Sequence, residues 1–126
     1  MFNFAGQRPT NLGVTDGKLT PCPGTPNCVC SQSDRAAEQV EPLPPVAIAD
    51  LKQVIEKMER TTIIEATDNY LYAEFKSQLM GYVDDVEFYL DTAANVIQVR
   101  SASRLGKSDL GVNRKRVEAI RTTLAG

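Results

Sequence analysis

GYVDDVEFYLDTAANVIQVRSASRLGKSDLGVNRKR, residues 81–116, decides the fold. Val86, Phe88 and Leu90 alternate with Asp85, Glu87, Tyr89 and Asp91, a period of two that marks a half-buried strand. Ile97, Val99 and Ser101 alternate with Gln98 and Arg100 in the same way. Thr92-Ala93-Ala94-Asn95 joins the two runs and ends in a turn-favouring Asn. A slip of one residue would turn every side chain over, so the apolar faces set the register. They put Phe88 opposite Val99, Leu90 opposite Ile97 and Glu87 opposite Arg100. The last two then form a solvated ion pair on the outer face, worth about 0.2–1 kcal/mol.

After Ser101 the alternation breaks into a polar, glycine-punctuated connection. Val117, Ile120 and Leu124 follow at helical spacing. Asp109 or Asn113 caps that helix, because each can accept from a free first-turn N–H. Free N–H groups at a helix start, flanked by Arg104, Lys107 and Arg114, suit an anion. No GxxxxGK[ST] phosphate loop is present. Gly106 and Gly111 let the backbone turn sharply. Ser101, Ser103, Arg104, Ser108, Asp109, Asn113 and Arg114 are therefore expected to converge at the start of the helix. In the plainer reading this is a capped connection whose arginines pair with Asp84 and Asp85.

Working outward, 126 residues make one domain of ordinary size, expected to divide into a segment 1–45 packed on a core 46–126. From Arg100 to Gly126 there are seven Lys/Arg against two Asp/Glu; before Arg100 there are seven against fourteen. The basic end is thus expected to lie against acidic strands, or to meet an anionic small molecule. The pI of about 5.1 and the lack of any nucleic-acid-binding pattern exclude nucleic acid as a partner. No stretch of about 18 apolar residues could span a membrane. Met1-Phe2-Asn3-Phe4 lacks a basic and an apolar leader region, so no signal peptide is expected.

Glycines and prolines punctuate the first 45 residues, which read as a long coil pinned by Phe2, Phe4, Leu12, Val14 and Leu19. Within it lies CPGTPNCVC, residues 22–30. Its Pro/Gly-rich spacer can bring Cys22 and Cys28 within disulfide reach; Cys30 makes the count odd. In a reducing compartment all three would stay thiols. With no His and no second CxxC pair, neither a metal nor a cofactor is expected. The missing His also removes Ser-His-Asp, Cys-His and HExxH chemistry.

Ile48, Leu51, Val54, Ile55 and Met58 make an amphipathic helix from about Ala47 to Arg60. Thr61–Ala66 and Tyr70–Ser77 read as strands, and Leu79 and Met80 in the crossing that follows pack down. Short connections between four strands predict an antiparallel meander with both helices on one face, an α+β fold.

Three blocks of this sequence carry a family resemblance: RPTNLGV with PCPGTPNCVCSQ, then YLYAEFKSQLMGYVDDVEFYLD, then IQVRSASRLGKSDLGVNRKR. They resemble the family known as domain of unknown function 1499. The start MFNFAGQRPTNLG is similar to its cyanobacterial and plastid form. That implies a photosynthetic source, a place in the cytoplasm or plastid stroma, and association with a photosynthetic membrane (thylakoid) complex as protein partner. The family has no established activity, so the resemblance implies no catalytic residues. Cys30 stands where the family has Ser, which implies a clasp of Cys22 with Cys28. Lys107 stands where an aromatic is common.

Two functions follow. The first is a non-enzymatic binding or assembly module. The alternative is an enzyme or binding protein for an anionic small molecule, with Arg100, Arg104 and Arg114 as clamp and Asp84 or Asp85 as acid/base.

Overall fold

The computed structural model describes residues 5–78, 81–106 and 109–126. The expected pins Phe2 and Phe4, the packing of Leu79 and Met80, and the roles of Lys107 and Ser108 lie outside them. The chain runs β1 (Val14–Thr15), β2 (Lys18–Leu19), β3 (Cys28–Cys30), α1 (Ile48–Glu56), β4 (Thr61–Ala66), β5 (Tyr70–Lys76), β6 (Val83–Asp91), β7 (Val96–Ser103) and α2 (Val112–Ala125). The fold is α+β. The meander β4-β5-β6-β7 is antiparallel, and its central register is the one that the apolar alternation dictates: Phe88 faces Val99, Leu90 faces Ile97 and Glu87 faces Arg100.

The expected four-stranded sheet has a fifth strand. β3 pairs antiparallel with β7, Val29 opposite Ser101, giving the order β3-β7-β6-β5-β4. A separate two-stranded sheet joins β1 to β2, so the N-terminal segment is not coil throughout. Both additions escaped the sequence reading because strands of two or three residues show no periodicity. β3 forms because the edge of β7 would otherwise present unpaired N–H and C=O groups. β7 runs to Ser103, two residues beyond the expected break, because Ser103 still pairs with Asp84.

Alternation sorts the sheet into two faces. Leu71, Ala73, Phe75, Val86, Phe88, Ile97 and Val99 join Ile48, Leu51 and Ile55 of α1 and Val117 and Ile120 of α2 in one core. Both helices therefore lie on one face. Phe88 is wholly buried at its centre, worth about 1.5–3 kcal/mol. α1 starts from an extended Ala47 and ends at Lys57, short of Arg60, whose positive φ of 57° turns the chain into β4.

The other face carries Tyr70, Tyr72, Glu74, Asp85, Glu87 and Arg100. It was expected to meet solvent, yet Glu87 is 0% and Arg100 7% exposed. The N-terminal arm covers it: Gly13 N donates to Glu87 Oε2 at 2.7 Å, and Arg8 Nε donates to Glu74 Oε2 at 2.7 Å. The Glu87–Arg100 pair is consequently buried, not solvated.

Candidate functional site

The polar residues expected to converge separate by strand parity. Ser101 and Ser103 point to the helix face; Arg100 and Arg104 point to the other. Asp84 and Asp85, neighbours on β6, divide in the same way and form no facing carboxylate pair.

On the helix face the cluster is built around Asn113, which α2 carries into full burial. Its Nδ2 donates to Asp109 Oδ2 at 2.6 Å and to Ser103 Oγ at 3.0 Å. Its Oδ1 accepts from Ser101 Oγ at 2.5 Å and from Arg116 Nη1 at 2.9 Å. Asp109 also accepts from the backbone N–H of Gly111 at 2.8 Å and of Asn113 at 3.1 Å. The anion at this helix start is thus the chain's own carboxylate. Burial pushes the Asp109 carboxyl up, but the Asn113 and backbone donors hold it below its ordinary value. Arg116, which the sequence reading missed, closes the cluster. Its Nη2 lies 2.8 Å from Asp84 Oδ2, and its guanidinium carbon sits 4.8 Å from the Phe75 ring centroid. The signal was available: Asn113, Arg116, Val117 and Ile120 share one face at helical spacing.

On the opposite face Arg104 grips Asp85 with two parallel bonds, Nε to Oδ2 and Nη2 to Oδ1, each 2.8 Å. Its Nη2 also meets Glu74 Oε2 at 2.5 Å. Hydrogen bonding to Asp85 raises the Arg104 pKa and fixes its charge. Tyr72 OH donates to Asp85 Oδ1 at 2.5 Å, and Tyr70 OH donates to Glu87 Oε2 at 2.6 Å. Burial first, then those hydrogen bonds, push both phenols far above their ordinary values, so they stay protonated donors. Among the described residues Glu87 Oε1 and Arg100 Nε have no hydrogen-bond partner, and Arg100 Nη1 stands 3.8 Å from Glu87 Oε1. Arg100, Arg104 and Asp85 line a cavity of about 300 Å³ beneath the arm.

Arg114 belongs to neither cluster. It donates to the carbonyls of Gln39 and Ala37 at 2.7 and 3.0 Å. Arg100 and Arg104 thus share the covered face while Arg114 lies apart from them, so the expected clamp of three arginines does not form. Ser108 lies outside the described residues.

Cys22 and Cys28 form a disulfide, with Cα atoms 5.7 Å apart. Cys30 is free and buried on the same face of β3 as Cys28, because i and i+2 of a strand share a face, and it packs in one cluster with the bridge. Burial pushes its thiol up. Among the described residues no group of His, Cys, Asp and Glu could hold a metal ion, and no helix is long and apolar enough to cross a membrane.

The feature that sequence reasoning missed entirely is apolar. A cleft of about 490 Å³ opens between the ends of β5 and β6, the segment after β7 and the start of α2. Tyr82, Leu105, Leu110 and Val112 line it over a floor of Phe75 and the Asp84–Arg116 pair. These four are also the exposed large hydrophobics among the described residues, and Leu110 is 87% exposed. Leu110 moreover holds a positive φ of 54°, a conformation that costs an L-residue about 1–2 kcal/mol.

No curated protein and no solved structure matches the chain. The sequence profile of one family, described as protein of unknown function DUF1499, matches residues 18–124, a span that takes in β2 to nearly the end of α2. With almost the whole fold inside that match, the chain belongs to the DUF1499 family.

Proposed function

We propose that this protein is a non-enzymatic binding module that takes an apolar ligand into the cleft beside the start of α2. One observation carries the reading: the exposed large hydrophobics among the described residues all line that single cleft. Soluble chains rarely gather exposed apolar side chains unless something covers them. The strained backbone at Leu110 supports it, since strain kept at an exposed position points to use. The cleft falls within the roughly 300–1,000 Å³ range of small-molecule sites. The charged clusters supply structure around it, for each arginine named above already has an internal partner. The similarity of MFNFAGQRPTNLG to cyanobacterial and plastid sequences supports a photosynthetic setting, in the cytoplasm or plastid stroma beside a thylakoid complex.

The test uses the neutral fluorophore N-phenyl-1-naphthylamine. Saturable binding at one site, weakened about tenfold by Leu110→Asp or Tyr82→Asp, is the expected result. Absence of binding, or binding unaltered in both variants, would overturn the reading.

A second reading rests on the other face. Arg100 Nε, which has no hydrogen-bond partner among the described residues and sits in a side chain more than nine-tenths buried beside the arm cavity, favours a small anion such as a carboxylate there. Isothermal titration with acetate and phosphate decides it. Heat of binding that Arg100→Gln abolishes would support this reading, and none would end it.

A further inference from the structure

We infer that the cleft takes a free amphiphilic monocarboxylate, its apolar chain against Leu105, Leu110 and Val112 and its carboxylate on Lys76. The inference rests on the binding-module reading and adds the ligand's head group. It comes from accounting for each charge that the described residues place along the cleft wall. Asp84 is held by Arg116 at 2.8 Å, and Glu59 by Arg60 at 3.0 Å. Asp109 is held by Asn113 and two backbone N–H groups. Arg116 is spent on Asp84, Ser101 and Asn113.

Lys76 differs from the rest. It lines the cleft, yet its ammonium has neither a hydrogen bond nor an ion pair among the described residues. Its side chain runs toward Gly81, where an added Cβ would stand 3.4 Å from Lys76 Cε. That direction brings the cation to the loop carrying Tyr82, at the edge of the apolar wall. An anion entering here gains a counter-charge without breaking an existing pair. Among the described residues a cation would meet carboxylates that each already have a partner, and a neutral chain would leave Lys76 unmatched. Charge complementarity therefore selects an anionic head on an apolar body. The cleft's volume limits that body to one chain of small-molecule size.

The experiment compares decanoate, decanol and decyltrimethylammonium at neutral pH, each below its micelle concentration, as competitors of N-phenyl-1-naphthylamine. Wild-type protein should bind decanoate about threefold to fivefold more tightly than decanol, the advantage of one partly exposed ion pair, and decyltrimethylammonium most weakly. Lys76→Gln should erase the decanoate advantage and leave decanol unchanged; Lys76→Arg should keep the advantage. Decanol binding as well as or better than decanoate would overturn the head-group assignment while leaving the cleft reading intact. A decanoate advantage that survives Lys76→Gln would overturn the role of Lys76. Failure of all three to displace the fluorophore would defeat this inference, whereas failure of the fluorophore itself to bind would defeat the cleft reading beneath it.

Discussion

Arg104 and Asp85 face each other across the covered side of the sheet, joined by two parallel 2.8 Å hydrogen bonds, with the Arg104 side chain 7% and the Asp85 side chain 2% exposed. They sit on the face away from both helices, and Arg104 does not line the apolar cleft. Their union is structural, and removing one partner strands the other in a buried site.

Arg104→Ala should therefore lower stability by about 3–5 kcal/mol, the usual cost of an orphaned buried charge. Asp85 would lose both of its guanidinium bonds and Glu74 one. Arg104→Lys should recover only part, because an ammonium cannot grip a carboxylate with two parallel donors. Urea denaturation measures the loss, and binding of N-phenyl-1-naphthylamine should not change under native conditions. A variant as stable as wild type would contradict this account of the covered face.

The cysteines give a count and a magnitude. Denatured without reductant, the oxidised protein should show one free thiol, Cys30, and after reduction all three. The bridge closes a short loop, a sequence separation of 6, so its loss in Cys22→Ser should cost near the low end of about 2–4 kcal/mol. Amide exchange should quicken chiefly in β3, whose entry the bridge anchors. Uniform acceleration across the meander would contradict that local role.

Acidity should act on Glu87 and Glu74 in opposite senses. Burial pushes the Glu87 carboxyl above its ordinary value of 4.5, against the pull of Tyr70, Gly13 and Arg100. The folded chain holds that proton more tightly than the unfolded chain, so this group's contribution is greatest below 4.5 and declines as pH rises through the raised value. Burial also pushes Glu74 up, but Arg8 and Arg104 bring it below 4.5; its contribution is full above 4.5 and is lost as pH falls through the lowered value. Asp109 behaves like Glu74, from an ordinary value of 3.8. Glu87→Gln should gain stability relative to wild type as pH rises above 4.5 and match its acid-side loss. Denaturation midpoints across a pH series read this directly, and parallel curves for the two proteins would contradict it.

Leu110 should show stability and binding parting company. Gly adopts a positive φ without the side-chain clash, so Leu110→Gly should hold or slightly raise the melting temperature. The same change removes apolar wall from the cleft and should weaken ligand binding several-fold. A drop in both would mean that Leu110 serves the fold.

How much of this was legible in the sequence depends on length and parity. The nine-residue and eight-residue strands β6 and β7 carry enough alternation to fix their pairing down to Phe88 against Val99. β3 has three residues and a partner some seventy positions away, so no local pattern could announce it. Parity also held a clue that grouping by chemistry overrode: Ser101 and Ser103 cannot share a face with Arg100 and Arg104. Burial of the Glu87–Arg100 pair depends on an arm whose path over the sheet is set by single contacts such as Gly13 to Glu87. The cleft was invisible for the converse reason. Tyr82, Leu105, Leu110 and Val112 lie in or beside connections, where an apolar residue reads as a pin to the core until its exposure is known.

The central claim is the place of binding, and amide chemical-shift mapping with decanol tests it most directly. The largest changes should fall on Tyr82, Val83, Leu105, Gly106 and residues 109–112, with saturation at one site, and should vanish in Leu110→Asp. Changes gathered instead along the arm and tyrosine groove, at Arg8, Leu12, Tyr70, Tyr72 and Tyr89, or scattered without saturation, would contradict it.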